Sequence, residues 1–211
     1  MLEALERQVQ LFNTECSSEC AKMCRTEDGQ YLVVICSPLM KRVHAGIKHS
    51  SEVAFMDASG NMDRQHCRVF LILTHSCAGG LPLGIIITQS EESQVISQGL
   101  DTLKSLLPKD AFSGRGMDGP LVFITDDSRA ERSAIQRSFP QATLLLCSFH
   151  LLQAAWRWLW KREHGIQMSD RKPLLGIVKQ IMYARVESEA QRFYEHAMQS
   201  AVVDRLVIDM P

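Results

Sequence analysis

The segment from Pro120 to His150, "PLVFITDDSRAERSAIQRSFPQATLLLCSFH", constrains the fold more than any other. Two short hydrophobic runs flank a stretch with helical spacing, which predicts a strand at Leu121–Thr125, a helix at Arg129–Arg137 and a strand at Thr143–Cys147. The connection holds a helix and leaves no room for a hairpin. The two strands should therefore run parallel through a crossover, as in α/β proteins.

The preceding hundred residues or so predict a different kind of connection. Apolar runs begin at Glu52, Cys67 and Leu83 and are separated by short Gly-containing turns, which favours a three-stranded antiparallel meander. A helix with Val95 and Leu100 on one face should follow, with Ser90 as its N-cap. The chain is thus predicted to form a mixed five-stranded α/β sheet, three antiparallel strands then a parallel strand–helix–strand unit, flanked by helices.

The two ends of the chain are predicted to add helices and one more strand. Met1–Gln10 has helical spacing, and Cys16, Cys20 and Cys24 would share a helix face if the helix continued through them. Tyr31–Ser37 predicts a strand. A helix should follow His150 and end at Gly165, and an amphipathic stretch covers 174–203. We expect an N-terminal extension at 1–50, a core domain at 51–165 and a C-terminal helical segment at 166–211.

Composition excludes several classes of protein. The chain has 211 residues, of which 45% are hydrophobic and 22% charged, with a formal net charge of −1, so nucleic acid could be bound only through a local basic patch. No apolar run reaches the roughly 18 residues that span a bilayer, and the charged N-terminus is unlike a signal peptide. We expect no membrane partner. Seven cysteines, an odd number, favour free thiols in a reducing intracellular compartment.

Two aspartates stand where predicted strands end. Asp57 closes the first strand of the predicted sheet and Asp126 closes the fourth, and strand ends at a switch point of the sheet converge on one crevice. Two carboxylates brought together repel each other unless a cation lies between them, and Mg²⁺ prefers oxygen ligands of this kind. Such ions can stabilise an in-line phosphoryl displacement. The alternative is that each aspartate is a turn or cap residue. Asp127 is predicted to cap the following helix.

These residues carry a family resemblance. "FMDASGNMDRQ" followed by "FITDDSRAERSAIQRSFPQATLLLCSFHLLQ" resembles the catalytic domain of the Mutator-like (MULE) DDE transposases, over about Ser37 to Trp160. The resemblance implies an RNase H-like core, with Asp57 and Asp126 as catalytic acids that hold Mg²⁺ or Mn²⁺. It further implies DNA hydrolysis and strand transfer at transposon ends, a nuclear location, and a homo-oligomer.

Cys147 and His150 match the Cys/His element of that family. A closed zinc site would need two further ligands, for which Cys67, Cys77 and His75 are candidates by residue type. The alternative is that Cys147 is a buried strand residue and His150 packs in the core or against a carboxylate.

The third catalytic acid of the family is not assigned in this chain. The resemblance implies a Glu in a helical segment well beyond the Cys/His element, and the chain offers Glu163, Glu187, Glu189 and Glu195. The stretch "ARVESEAQRFYEHAM" instead resembles the helical insertion that precedes that Glu. Two alternatives therefore stay open: a domesticated, non-catalytic module that binds DNA or a protein, and a nuclease of the same core fold.

Two basic clusters are candidate DNA contacts. "WRWLWKRE" places three tryptophans beside Arg157, Lys161 and Arg162, a combination that can bind single-stranded DNA. Lys41 and Arg42 form a second cluster ahead of the first acid-bearing strand. The alternative is a solvated basic face, with Trp156 and Trp160 packed in the core.

Overall fold

The computed structural model describes residues 2–26, 29–60 and 67–203 and shows an α/β protein. Its strands are β1 (Ala21–Arg25), β2 (Tyr31–Ile35), β3 (Val53–Gly60), β4 (Arg68–Ser76), β5 (Gly79–Thr88), β6 (Val122–Thr125) and β7 (Thr143–Leu146). Its helices are α1 (Leu2–Glu15), α2 (Pro38–Gly46), α3 (His49–Glu52), α4 (Ser93–Leu106), α5 (Arg129–Ser138), α6 (Ser148–Trp160), α7 (Met168–Met182) and α8 (Glu187–Met198).

The strands form one mixed sheet in the order β1-β2-β5-β4-β3-β6-β7. The predicted meander is confirmed, because β4 pairs antiparallel with both β3 and β5. A parallel pair joins β3 to β6, and β7 lies beside β6 as the crossover predicts.

The predicted count of five strands is too low, since the sheet has seven. β2 pairs antiparallel with β5, and β1 pairs with β2 at the edge of the sheet. The strand predicted at Tyr31–Ser37 is observed at Tyr31–Ile35. It was predicted to lie outside the sheet, because its partner β5 lies some fifty residues further along the chain. β1 carries Lys22 and Arg25 on an edge strand, where the apolar alternation that marks a strand is weak.

The main core lies between the sheet and the helices α2, α4 and α5. Fully buried side chains from the strands, including Phe70 and Phe123, pack against Leu100 and Leu103 of α4 and Ile135 of α5. On the opposite face of the sheet, α1 covers Tyr31, Val33 and Cys67 with its own apolar side chains. The helical spacing of the N-terminal residues thus predicted a helix that is confirmed.

The chain divides into two compact units. The sheet unit comprises the described residues up to Leu145, and the helical unit comprises those from Leu146 onward. In the helical unit α7 contacts both α6 and α8, and a small core is centred on Leu159, Ile166 and Leu174. The division into regions at residues 50 and 165 stays a prediction.

Several local predictions are wrong at element ends. Helix α1 ends at Glu15, Ser17 adopts a left-handed conformation with φ 52°, and Cys24 lies in β1, so the three N-terminal cysteines do not share a helix face. Helix α4 has Glu92 rather than Ser90 at its N-cap position. The Ser90 hydroxyl instead accepts the Glu92 backbone N–H at 3.1 Å, as in a turn.

The last part of the chain also differs from its prediction. Helix α6 begins at Ser148, so His150 lies within its first turn, and it ends at Trp160. A 3₁₀ turn at Arg162–His164 follows, and Gly165 ends that turn with φ 63°. The amphipathic stretch at 174–203 contains the second half of α7 and all of α8. Within the described residues, none of these helices is long and apolar enough to cross a membrane.

Candidate functional site

Asp57 and Asp126 lie on neighbouring parallel strands. The pairing of β3 with β6 aligns Val53 with Val122 and Phe55 with Ile124. Two further residues along this register bring Asp57 level with Asp126, the residue that follows the end of β6. Because paired strands lie about 4.8 Å apart, this register, continued two residues past the last aligned pair, predicts that the two carboxylates lie close together.

The local sequence explains the direction of both side chains. In β3, Ala54 and Met56 are buried in the main core, so Asp57 points to the other face of the sheet and is exposed. Thr125 is buried on the core side, and Asp126 follows it half-buried. The prediction that Asp57 ends its strand is wrong, because β3 continues to Gly60. Its alternating pattern extends through Ala58, which packs against the core.

Asp126 also organises the turn that leads into α5. Its Oδ1 accepts the Ser128 backbone N–H at 2.8 Å. The predicted cap at Asp127 is wrong, because the Ser128 side chain accepts the Glu131 backbone N–H at the start of the helix. Asp127 is exposed and forms an ion pair with Arg132, with Oδ1 3.3 Å from Nη1. Of the two adjacent aspartates, Asp126 is therefore the one held at the sheet edge.

Glu131 is a third carboxylate at this edge, and sequence reasoning missed it. It is only 3% exposed, and its Oε2 accepts the Thr125 hydroxyl at 2.6 Å. The pKa of Glu131 is raised to about 7, chiefly by burial and to a smaller extent by the charges of Asp126 and Asp57, while the Thr125 hydrogen bond acts in the opposite direction. A signal was available: Ala134, Ile135 and Ser138 follow at helical spacing and place Glu131 on the buried face of α5.

A fourth carboxylate contributes from a greater sequence distance. Glu91 follows β5 and is also among the charges that raise the pKa of Glu131. It pairs with Arg68 of β4, with Oε1 2.7 Å from Nε. The edge of the sheet at the ends of β3, β5 and β6 is therefore rich in negative charge, and Arg68 is its paired cation.

Cys147 and His150 lie in the helical unit. Cys147 is the N-cap residue of α6 and a half-buried free thiol, rather than a strand residue as predicted. His150 is half-buried, and its ring contacts that of Phe149 edge-on with centroids 5.4 Å apart. The ring contact does not assign a chemical role to Cys147 and His150.

The additional zinc ligands suggested by residue type are widely separated. Cys67 precedes β4, is buried, and lies with its Sγ 3.0 Å from the Tyr31 hydroxyl. His75 lies at the other end of β4 and stacks on His49 with centroids 4.3 Å apart. Eight strand residues span about 26 Å, so one zinc ion cannot take both side chains. All seven cysteines are free thiols, as the sequence predicts.

The predicted basic contacts are distributed over both units. In the sheet unit, Arg42 is exposed, whereas the Lys41 ammonium donates to the Glu19 carbonyl at 2.7 Å. In the helical unit, Arg157, Lys161 and Arg162 are all exposed, and Lys161 lies 3.4 Å from Glu163.

The tryptophans of α6 are less buried than core packing requires. Trp156 packs partly against the small core, but Trp158 is 47% exposed and Trp160 45% exposed. The Arg171 guanidinium lies 4.1 Å from the centre of the Trp160 ring. The interpretation of Trp160 as a core residue is therefore wrong.

The donor set at the sheet edge fits a hard divalent cation held by few protein ligands. Asp57 and Asp126 offer oxygen donors at one level of two adjacent strands, and Mg²⁺ commonly binds through one or two carboxylates and keeps its remaining positions for water or phosphate. Within 2–26, 29–60 and 67–203, no group of three or more His, Cys, Asp or Glu side chains is placed to hold a metal ion. Any ion here would rely on the two aspartates.

The fold and this edge define an α/β protein with a carboxylate pair on adjacent parallel strands. Residues 53–154, from the first residue of β3 into α6, match the family model of the MULE transposase domain. This region is therefore similar to the MULE transposase domain, and the resemblance to that family found in the sequence is confirmed. The match includes Asp57, Asp126, Cys147 and His150. No curated protein matches the chain.

Proposed function

We propose that this domain is the RNase H-like catalytic core of a DDE transposase, which hydrolyses DNA at transposon ends and transfers the strand. The observation that carries the proposal is the register of β3 and β6, which places Asp57 level with Asp126 within the region similar to the MULE transposase domain. We further propose that the protein works on DNA in the nucleus, as a homo-oligomer.

In this proposal the two aspartates bind the divalent cation, and neighbouring backbone and side-chain groups fix the positions of the aspartates. A bound Mg²⁺ or Mn²⁺ would stabilise charge on the scissile phosphate. Asp57 is fixed by its strand, and Asp126 by the Ser128 backbone N–H at 2.8 Å. Glu131, anchored through Thr125, adds negative potential at this edge when it is ionised, which its pKa of about 7 makes dependent on pH.

A nicking assay tests the proposal. Supercoiled plasmid carrying transposon-end DNA is incubated with the full-length protein and Mn²⁺, and the Asp126→Asn variant should lose nicking by at least about a hundredfold, as expected when a metal ligand is removed. Asp127→Asn is the matched control, because it removes a neighbouring, exposed aspartate and should retain activity. Undiminished nicking by Asp126→Asn would remove the active-site assignment. Joining of the cut end to a second plasmid separates a transposase from a nuclease of the same core.

A second candidate function is a domesticated module that binds DNA or a protein without catalysis. The observation that favours it is that no three-ligand group exists among the described residues, so a third acid does not complete the pair there. This candidate predicts that Mn²⁺ leaves the thermal stability of the protein unchanged.

A further inference from the structure

We propose that the outer face of α5 binds the phosphate backbone of duplex DNA. We call it the arginine face and define it by the side chains of Arg129, Arg132, Ser133, Gln136 and Arg137. The proposal rests on the proposed function, because it names a surface that would hold the DNA on which the domain acts.

The helix itself separates this face from the core. Residues 129, 132, 133, 136 and 137 recur at intervals of three and four, so their side chains share one side of α5, and all five are exposed. The other side, with Glu131, Ala134, Ile135 and Ser138, is buried. Since Glu131 is the acidic residue of α5 and lies on the buried side, the arginine face carries only positive and neutral side chains.

The arginine face borders a shallow depression. Its five side chains and Leu144 line a shallow depression of about 610 Å³. Arg129 and Ser133 also line a neighbouring depression with Glu92, and Arg137 lines another with Lys22, Arg25 and Asp101. The basic residues along this strip are Lys22, Arg25, Arg129, Arg132 and Arg137, against the acidic Glu92, Asp101 and Asp127.

Two of the three arginines form no ion pair among the described residues and can bind a ligand without first breaking one. Arg132 pairs with Asp127, whereas in the part of the chain that the structure describes neither Arg129 nor Arg137 forms an ion pair. A guanidinium binds phosphate through two parallel hydrogen bonds. Ser133 and Gln136 add the neutral donors that commonly accompany arginine on a phosphate backbone.

The chemistry of the depression favours DNA over an acidic protein. A protein partner normally buries apolar or aromatic anchors at the centre of its interface, and Leu144 is the single apolar side chain lining this depression. Duplex DNA needs no apolar anchor, because its phosphates supply the binding energy through counterion release.

Helix α5 packs on the core face of the sheet and begins close to Asp126 in sequence, whereas Asp57 points to the opposite face. The helix begins three residues after Asp126, and Arg129 to Arg137 spans about 12 Å along its axis. DNA on the arginine face would therefore extend away from the edge that carries Asp57 and Asp126.

Duplex binding measured as a function of salt tests the proposal. Fluorescence anisotropy with a labelled duplex of about 30 base pairs would compare the wild type with Arg129→Gln/Arg137→Gln. We expect binding at least about tenfold weaker near 0.1 M salt, and a log–log salt slope smaller by about 2. The matched control is Arg7→Gln/Lys109→Gln, which removes two exposed charges outside this face and should bind within about twofold of wild type.

Circular dichroism melts check that each variant folds. If the double variant does not fold, Arg137→Gln alone should lower the salt slope by about 1. A variant that binds DNA as the control does would overturn the proposal. Binding of the same variants to polyglutamate is measured in parallel. If the arginine substitutions abolish binding to polyglutamate but leave DNA binding intact, the proposal is overturned and an acidic protein is identified as the partner.

The outcome is separable from that of the proposed function. Binding that depends on Arg129 and Arg137 in a protein that never nicks DNA would support this surface while the catalytic proposal fails. If the arginine substitutions change neither metal-dependent nicking nor DNA binding, the catalytic proposal is supported and the arginine face is rejected as the DNA-binding surface.

Discussion

The sheet unit and the helical unit bury their apolar side chains to different extents. The sheet unit encloses a continuous core of strand and helix residues, many of them fully buried. Among the residues that the structure describes, three buried side chains form the centre of the core of the helical unit: Leu159, Ile166 and Leu174. This unit exposes many large apolar side chains: Leu146, Phe149, Trp158, Trp160, Met168, Tyr183, Val186, Tyr194 and Met198.

The site residues predicted from sequence therefore fall into two groups, one in each unit. Asp57 and Asp126 stand on strands that the main core holds in place, so their relative position is fixed by the sheet. Cys147, His150 and the tryptophans depend on a small core, and regions with few buried contacts open most easily. The carboxylate pair is therefore the preorganised part of the candidate site.

The largest expected effect comes from emptying the larger core. Phe123→Ala should lower the free energy of unfolding by about 3–5 kcal/mol, because Phe123 is fully buried and packs against Phe139. Leu174→Ala, at 7% exposure in the helical unit, should cost about 2 kcal/mol.

Urea denaturation with two probes measures both variants. Far-ultraviolet circular dichroism reports on all of the chain, whereas tryptophan fluorescence reports on α6, which holds all three tryptophans. Equal costs for the two substitutions would contradict the difference between the cores.

The next largest effect is a pH dependence that arises in the sheet unit. Because the folded pKa of Glu131, about 7, lies above its ordinary value of 4.5, the folded state favours the protonated acid. The associated stabilisation is complete below about pH 4.5 and is lost as the pH rises through 7, in total about 3 kcal/mol. Glu131→Gln should remove this loss and be more stable than wild type at pH 8 in EDTA.

His44 gives that experiment an internal reference. Burial lowers its pKa to about 4, so stability falls as the pH falls from 6.5 through 4 in both proteins. Thermal melts from about pH 4 to 8 would show both losses of stability, the one at acidic pH from His44 and the one toward alkaline pH from Glu131. If Glu131→Gln loses stability toward alkaline pH as the wild type does, the burial assigned to Glu131 is contradicted.

Two glycines compare the tightness of packing in the two units. A Cβ at Gly84 of β5 would lie 2.7 Å from a Leu103 methyl carbon, so Gly84→Ala should destabilise by about 1–3 kcal/mol. Gly176 of α7 has nothing within 4 Å of the added carbon, and alanine there should stabilise by about 0.5–1 kcal/mol. Chemical denaturation of both variants gives the signs. Destabilisation by Gly176→Ala would show that the helical unit is as tightly packed as the sheet unit.

The smallest expected effect concerns the turn that holds Asp126. Ser128→Ala should cost about 1 kcal/mol, because the N-cap bond to the Glu131 N–H is lost. Asp127→Ala should change stability by less than about 0.5 kcal/mol, since Asp127 makes only an exposed ion pair. Thermal melts at neutral pH measure both. The reverse order would restore Asp127 as the cap.

Element types were predictable wherever periodicity was strong. The meander, the crossover at Pro120–His150 and helix α4 all follow from hydrophobic spacing and turn residues. The strand count was wrong because pairing of β2 with β5 depends on contacts between distant parts of the chain. Element ends were wrong where two capping residues compete, as Asp127 and Ser128 do.

The carboxylate pair could be predicted in part. The residues were identified from strand-end positions and the family resemblance, although Asp57 proved to lie within its strand. The register that brings it level with Asp126 is a tertiary property, and the sequence carries no direct signal of it. Glu131 was missed because a charged residue on a helix is usually solvated, and only its spacing from Ala134 and Ile135 indicates burial.

The most direct test of the central claim is a thermal melt of the full-length protein with and without Mn²⁺. If Asp57 and Asp126 hold a divalent cation, Mn²⁺ at about a hundred times its dissociation constant should add about 2.7 kcal/mol to wild-type stability and raise its Tm by several degrees. The shift should vanish in Asp57→Asn and Asp126→Asn and persist in Asp127→Asn. An equal Mn²⁺ shift in all four proteins, or none in the wild type, would contradict the claim that the carboxylate pair is a metal site.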